Sequence, residues 1–507
     1  MVASILPPKT TLKLHKHRSP VSLSTTPLKG DNADDYTTPV YLNGQGPFAL
    51  NVDTGSALLG VAGNGSIGCD LYYDASSCDG GPIKVVYGAG FWSGVVCEAT
   101  VTLGEYEIKN YKFGAYQKQQ AMTTCERTPE DDASSPVHMV RPTNYMQGQC
   151  TRVFSIPPDF RSCILPVGAA SVHLAQRASS PPTPSGYSAR GGGASAHFLF
   201  STGIVGLSAG QPGSTKGSSK GSAPLLEVLF ATHADVDPVF GLQCCRFDGG
   251  RGGGGALDVG GFDARRFYGP IQWVPVTKKP YWAVRTTSVK FGNVEVLPDD
   301  IAAISAYPDG ADQAIVDSGT SGLTLPTQAF EAAVEALSAA APDVPSAFWR
   351  GEACLPISAL DVSALPPLTV ALAADDQDQD VVLTMLACRY VNRVPKTSYC
   401  ADIAPPHKED LYSFSVGPMP EGRNIILGQS LFESYYVAHD MGASPRVGFA
   451  LIRGCDADGC GVAPIHSLFF GSRWGIVGGL VLFPLAVCAM WRRRNRRREY
   501  AAVESSV

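Results

Sequence analysis

Two stretches of this chain, "LNVDTGSALLGV" (50–61) and "AIVDSGTSGLTLP" (314–326), follow the same pattern. Each is a short apolar run, then Asp, a small hydroxyl residue, Gly and a further hydroxyl, then a second apolar run. Such a segment reads as a strand that ends in a tight turn and leaves as another strand. Gly55 and Gly319 supply the backbone freedom of the turn, and their missing side chains let another chain approach. One Asp-Thr-Gly alone is an ordinary surface turn, because Asp, Ser, Thr and Gly are the usual turn residues. Two copies with matching flanks imply a duplicated lobe in which each half contributes one carboxylate to a shared cleft.

Two facing carboxylates do not both ionise readily, so the pair holds one proton over an acidic range and combines an acid with a base. A water between them could lose a proton to the charged partner while attacking a carbonyl. The protonated partner would then hydrogen-bond the oxygen that becomes tetrahedral.

Further blocks stand in a telling order. They are "VVYGAGFWSGVV" ending at residue 96, "STGIVGLS" (201–208), "LDVGGFDARRFYGPIQWVPVTKKPYWAV" (257–284) and "IILGQSLFESYYVAHDMGASPRVGFA" (425–450). With the two Asp loops, they make residues 35–455 resemble a pepsin-family, two-lobed aspartic protease. The resemblance implies a mainly β, bilobal pepsin-like fold and endopeptidase activity with an acidic preference. It makes Asp53 and Asp317 the dyad, with Thr54 and Ser318 bracing the two loops across Gly55 and Gly319. Ser56 and Thr320 would bond the outer carboxylate oxygens. Tyr87, 34 residues after Asp53, takes the place of the flap tyrosine, with Gly88 and Gly90 giving the hairpin tip its mobility. Where the family usually has a Trp seven residues after the first Asp, this chain has Gly60, and Trp92 in the flap is the candidate to compensate by packing.

Composition agrees with many strands and few helices: 54 glycines and 38 prolines in 507 residues, 44% apolar and only 17% charged. The clearest helical stretch is "PTQAFEAAVEALSAAAP" (326–342). The net charge of −6 is uneven: residues 1–30 carry five basic side chains and no acid, and residues 474–507 carry six Arg against two Glu, so the body between them is acidic. The basic segment "KTTLKLHKHRS" (9–19) reads as part of a zymogen prosegment paired with an acidic cleft, or as a basic tail. Acid would loosen such a pairing by protonating carboxylates.

Fourteen cysteines without a zinc-type arrangement point to an oxidising compartment. The resemblance pairs Cys69 with Cys78 and Cys354 with Cys388, and sets Cys455 against Cys244 or Cys245. Cys488 sits in an apolar segment, which leaves at least one thiol unpaired. Asn64-Gly65-Ser66 is a glycosylation sequon.

The segment 474–491, "WGIVGGLVLFPLAVCAMW", is uncharged, bounded by Trp and followed by "RRRNRRR". Its length spans a bilayer, and the Arg cluster marks the cytoplasmic side. The expectation is a single-pass type I membrane protein whose catalytic body is lumenal or extracellular in the endomembrane system. "MVASILPPKT" has no secretory leader pattern, so the true beginning is expected upstream of Met1.

The expected layout is a prosegment remnant (1–34), a first lobe (35–261), a second lobe (262–455), a stalk (456–473), the membrane helix (474–491) and a tail (492–507). The first lobe carries an insertion at 117–196, about 80 residues ending in the low-complexity "RASSPPTPSGYSARGGGASA" (177–196). Polypeptide substrates, a monomer, no cofactor, no metal and no nucleic-acid partner are expected. The alternative is a catalytically silent pepsin-fold binding protein, which would be expected to have lost one Asp or its hydroxyl neighbour.

Overall fold

The computed structural model describes residues 23–30, 35–64, 71–87, 90–120, 201–208, 223–246, 254–277, 280–298, 313–374, 379–396, 400, 407–419, 425–455 and 460. All of these belong to one compact unit; a second, 147–198, lies outside the described residues. So do most of the insertion, the basic segment 9–19, Cys69, Gly88 and the apolar segment 474–491. Among the described residues no helix is long and apolar enough to cross a membrane.

The repeated sequence pattern becomes a repeated piece of topology. In the first half, the strand Gln45–Asp53 turns at the Asp loop and leaves as Leu59–Ala62. The strand Gly203–Gly206 lies between them, parallel to the incoming strand and antiparallel to the outgoing one. The second half repeats this with Gln313–Val316, Leu323–Pro326 and Ile425–Leu427. Leu59–Ala62 and Leu323–Pro326 are buried at every position, as expected where a strand is covered on both faces.

The halves meet through antiparallel strands. Val239–Cys245 pairs on one side with Gly254–Val259 and on the other with Tyr435–Asp440, which pairs in turn with Arg446–Ile452. Ser24–Lys29 also belongs to this sheet, matched residue for residue to Gly254–Val259 and alternating buried with exposed. These residues fall in the span expected as a prosegment remnant (1–34), and Ser24, Thr26 and Leu28 point inward from the strand. The strand Tyr106–Gln120 likewise runs past residue 117, so the insertion starts after it.

Helices are few. The helix expected at 326–342 runs Thr327–Ala340 and buries Ala329, Phe330, Ala333, Val334 and Leu337 along one stripe. Aromatic packing fills both halves, with Trp92, Trp282 and Trp349 fully buried.

The cysteine pairing needs correction. Cys78 bonds Cys97, not Cys69. The short helical turn Ala75–Ser77 delivers Cys78 to the strand Phe91–Leu103, where Cys97 points inward. Cys354 bonds Cys400 rather than Cys388, because both close the small apolar cluster with Leu411. Cys388 instead bonds Cys460, beyond the last strand. Of the two candidates for Cys455, Cys245 makes the bond, and Cys244 is a free, buried thiol. The Asn64 side chain acts locally. Its amide nitrogen donates to Asp74 and its oxygen accepts the N–H of Ala75, which caps that same helical turn.

Candidate active site

The two Asp loops hold each other through a reciprocal set of hydrogen bonds. The Thr54 N–H donates to Ser318 Oγ (3.1 Å) and the Ser318 N–H to Thr54 Oγ1 (2.9 Å). Each hydroxyl then donates across the interface to the strand leading into the opposite loop: Thr54 Oγ1 to the Val316 carbonyl (2.9 Å) and Ser318 Oγ to the Val52 carbonyl (2.6 Å). Both side chains are buried, so no water can substitute for these partners. The glycines bring the loops close. A Cβ on Gly55 would stand 2.5 Å from the Asp317 carboxylate, and one on Gly319 would stand 2.5 Å from Asp53 Oδ1. Each loop therefore presents its carboxylate to the bare backbone of the other.

Both carboxylates are oriented by their own turns. Gly55 N–H donates to Asp53 Oδ1 and Gly319 N–H to Asp317 Oδ1, each at 2.9 Å. Thr320 Oγ1 donates to Asp317 Oδ2 at 2.7 Å, as the sequence pattern suggests. Its counterpart differs. Ser56 Oγ is buried and makes no well-formed hydrogen bond, although both Asp53 and Tyr87 feel its dipole.

Burial, and then the charge of Asp317, push the Asp53 carboxyl well above the ordinary carboxylate range, while Ser56 and the Gly55 N–H pull weakly the other way. Among the described residues no group of three or more His, Cys, Asp or Glu side chains is placed to hold a metal ion.

Tyr87 follows the first strand of the hairpin formed by Pro82–Val86 and Phe91–Leu103, and its N–H donates to the Gly90 carbonyl at the turn. Its phenol is pushed up by burial and by the charge of Asp53, which places it in the field of the dyad. Trp92 Nε1 donates to Tyr87 Oη at 3.2 Å.

Some contributors carry no motif that sequence reasoning could single out. The Gln429 side chain is fully buried and donates to the Ser318 carbonyl (3.0 Å) and to Asp35 (3.2 Å). Tyr36 Oη donates to Glu433, which also receives Arg246, whose guanidinium reaches the Cys388 carbonyl and Asn392. These bonds tie the entry to the first lobe, the joining sheet and the second lobe into one network behind the dyad. The only signal is the polar side chains inside the otherwise apolar block "IILGQSLFESYY".

Residues 192–452, half of the chain, match the family model of the eukaryotic aspartyl proteases. The chain belongs to that family. The matched stretch holds the Asp317 loop and leaves the Asp53 loop outside, on the far side of the insertion. Among curated proteins, the chain is 30% identical to the beta-secretase of Strongylocentrotus purpuratus over 205 residues, 39% of this chain and 35% of that one. It is 28% identical to the cathepsin E of Oryctolagus cuniculus over 256 residues (49% and 53%) and 37% identical to the cathepsin E-B of Xenopus laevis over 125 residues (25% and 28%). The chain thus spans between about a quarter and a half of the length of these aspartyl protease relatives.

Proposed function

We propose that this protein is an aspartic endopeptidase that cleaves polypeptides with a water activated between Asp53 and Asp317. The supporting observation is the reciprocal grip of Thr54 and Ser318, which sets each carboxylate against the other loop's glycine. In this mechanism Asp317, ionised, takes a proton from the water as its oxygen attacks the scissile carbonyl carbon. Asp53, protonated, gives its proton to the carbonyl oxygen, so a neutral tetrahedral diol forms. On collapse, Asp317 returns its proton to the leaving nitrogen, the C–N bond breaks, and Asp53 recovers a proton from the diol. The cycle starts from a pair carrying one proton, so activity falls as pH rises through the raised Asp53 value.

The remaining expectations extend this reading. The lobes 35–261 and 262–455 form a monomeric catalytic body, residues 9–19 belong to a prosegment, and 474–491 anchors the chain as a single-pass type I protein with its body in an endomembrane lumen. Beyond the Arg cluster, Tyr500-Ala501-Ala502-Val503 has the Tyr-x-x-apolar form of a sorting signal. An acidic endosomal compartment would suit a dyad that must keep one proton. The test is peptide hydrolysis by the purified protein at pH 4–6. A statine-type mimic of the tetrahedral diol should block it, and a metal chelator should leave it unchanged. Loss of activity with the chelator, or indifference to the statine, would overturn the assignment.

A further inference from the structure

The strand that leads into the first Asp loop carries one polar side chain inside an apolar run. Asn51 lies two residues before Asp53, so the two share a face of the strand Gln45–Asp53, and both are buried. Asn51 Nδ2 donates to Asp35 Oδ2 at 3.2 Å. The other oxygen of that carboxylate, Oδ1, accepts from Gln429 Nε2, also at 3.2 Å. Gln429 opens the short helix after Ile425–Leu427 and holds the second Asp loop twice. Its N–H donates to the Thr320 carbonyl (2.7 Å) and its Nε2 to the Ser318 carbonyl (3.0 Å). Both amide nitrogens must face Asp35, because an ionised carboxylate accepts and cannot donate. The backbone places Asp35 for this task. Its φ of 64° lies in the left-handed region, where Asp and Asn are among the few side chains found often, and its carbonyl packs onto Gly30, where a Cβ would collide with it. The next residue ties the same two segments again: the Tyr36 carbonyl accepts the Val52 N–H (2.9 Å), and its hydroxyl donates to Glu433 (2.8 Å), just past the Gln429 helix.

We propose, on the endopeptidase reading above, that Asp35 is a positioning residue for the dyad, a carboxylate that fixes the spacing of the two Asp loops by taking one amide hydrogen bond from each side. Thr54 and Ser318 join the loops directly. Asn51, Asp35 and Gln429 join the segments that carry them, and Gln429 Nε2 links the two sets because it serves Ser318 and Asp35 together. Asp35 acts through Asn51 and Gln429 rather than on the substrate. Loss of one of its bonds lets one carboxylate drift against the other, which lowers turnover and leaves the substrate-binding surface in place.

Two measurements on the full-length protein test this. In Asp35→Asn the side chain keeps one acceptor, so one of the two neighbouring amides meets a donor instead. The expected result is a fall in kcat of about 10-fold, as for one lost hydrogen bond to a charged group, with KM unchanged. Asn51→Asp in the same protein exchanges amide and carboxylate across that contact, so a donor again meets an acceptor and the oxygen left at position 35 still accepts from Gln429. The double substitution should bring kcat back to within about 3-fold of the unsubstituted protein. A purely structural Asp35 would lower the urea midpoint of Asp35→Asn with kcat unchanged, and that result would overturn the proposal while leaving the peptidase reading intact. The second measurement does not depend on turnover. Backbone hydrogen exchange is read by mass spectrometry on peptides that hold Thr54 and Ser318, whose N–H groups make the bonds between the loops. Both should exchange roughly tenfold faster in Asp35→Asn and slow again in the double substitution. Exchange in Asp35→Asn equal to that of the unsubstituted protein would refute the positioning role, whether or not the protein cleaves peptides.

Discussion

His439 is a buried base without a partner, and it should set how the protein tolerates acid. It lies in the strand Tyr435–Asp440, wholly enclosed, with its ring stacked on Phe240 (4.3 Å between centroids, 3° between planes) and edge-on to Trp282 (4.7 Å). Neither ring nitrogen has a hydrogen-bond partner. Burial alone lowers its pKa from the ordinary 6.5 to about 3. Below pH 6.5 the unfolded chain takes up a proton that the folded one refuses, so folding stability falls with pH until about pH 3 and then levels off. At 1.36 kcal/mol per unit, the full loss is about 5 kcal/mol and the loss by pH 4.5 is about 3 kcal/mol. A typical domain has only about 5–15 kcal/mol in total. Trp282 Nε1 donates to the Leu207 carbonyl, so the cluster lies directly behind the segment that backs the Asp53 loop. The substitution His439→Phe keeps the stacked shape and removes the titration. Urea unfolding from pH 7 to pH 4, in an Asp317→Asn background to prevent self-cleavage, should show a shallower decline for His439→Phe. Equal slopes between pH 6.5 and 4 would refute the reasoning, whatever the absolute stabilities.

Three further outcomes follow from the site and its frame. Thr54→Ala leaves the buried Ser318 N–H and Val316 carbonyl without their partner, and should cost about 2–5 kcal/mol in urea unfolding. Gly319→Ala forces a methyl to within 2.5 Å of Asp53 Oδ1, and should lower kcat at least 100-fold in a peptide-cleavage assay because backbone and carboxylate must part. Peptide mapping without reduction should recover Cys78–Cys97, Cys245–Cys455, Cys354–Cys400 and Cys388–Cys460; a Cys69–Cys78 peptide would contradict the structure.

The part of the site that could be read from the sequence was the part held by local rules. Asp, hydroxyl, Gly and flanking apolar runs specify a turn wherever they occur, and their duplication implied that the turns face each other. The helix Thr327–Ala340 was legible for the same reason, through its apolar period. What could not be read depends on distant neighbours. Cys97 and Cys400 look like any cysteines until the strand Phe91–Leu103 and the Leu411 cluster bring them to their partners, because spacing leaves connectivity open. Trp92 reads equally as surface, core or flap until Gly60 and Gly114 are seen as two walls of one slot. Ser56 matches Thr320 in sequence, yet Thr320 bonds its carboxylate at 2.7 Å while Ser56 lies close to both Asp53 and Tyr87.

Asp53 and Asp317 should act as one unit although only the second lies in the stretch that matches the family. The most direct measurement is kcat for cleavage of one peptide at pH 4–6 by Asp53→Asn, Asp317→Asn and the double substitution, each checked for an unchanged unfolding midpoint at neutral pH. Residues that act as a unit lose their effect together. Each single substitution should therefore lower kcat by roughly 1,000-fold or more, with the double no worse than either. Near-normal turnover in Asp53→Asn with loss only in Asp317→Asn would contradict a shared Asp53–Asp317 mechanism.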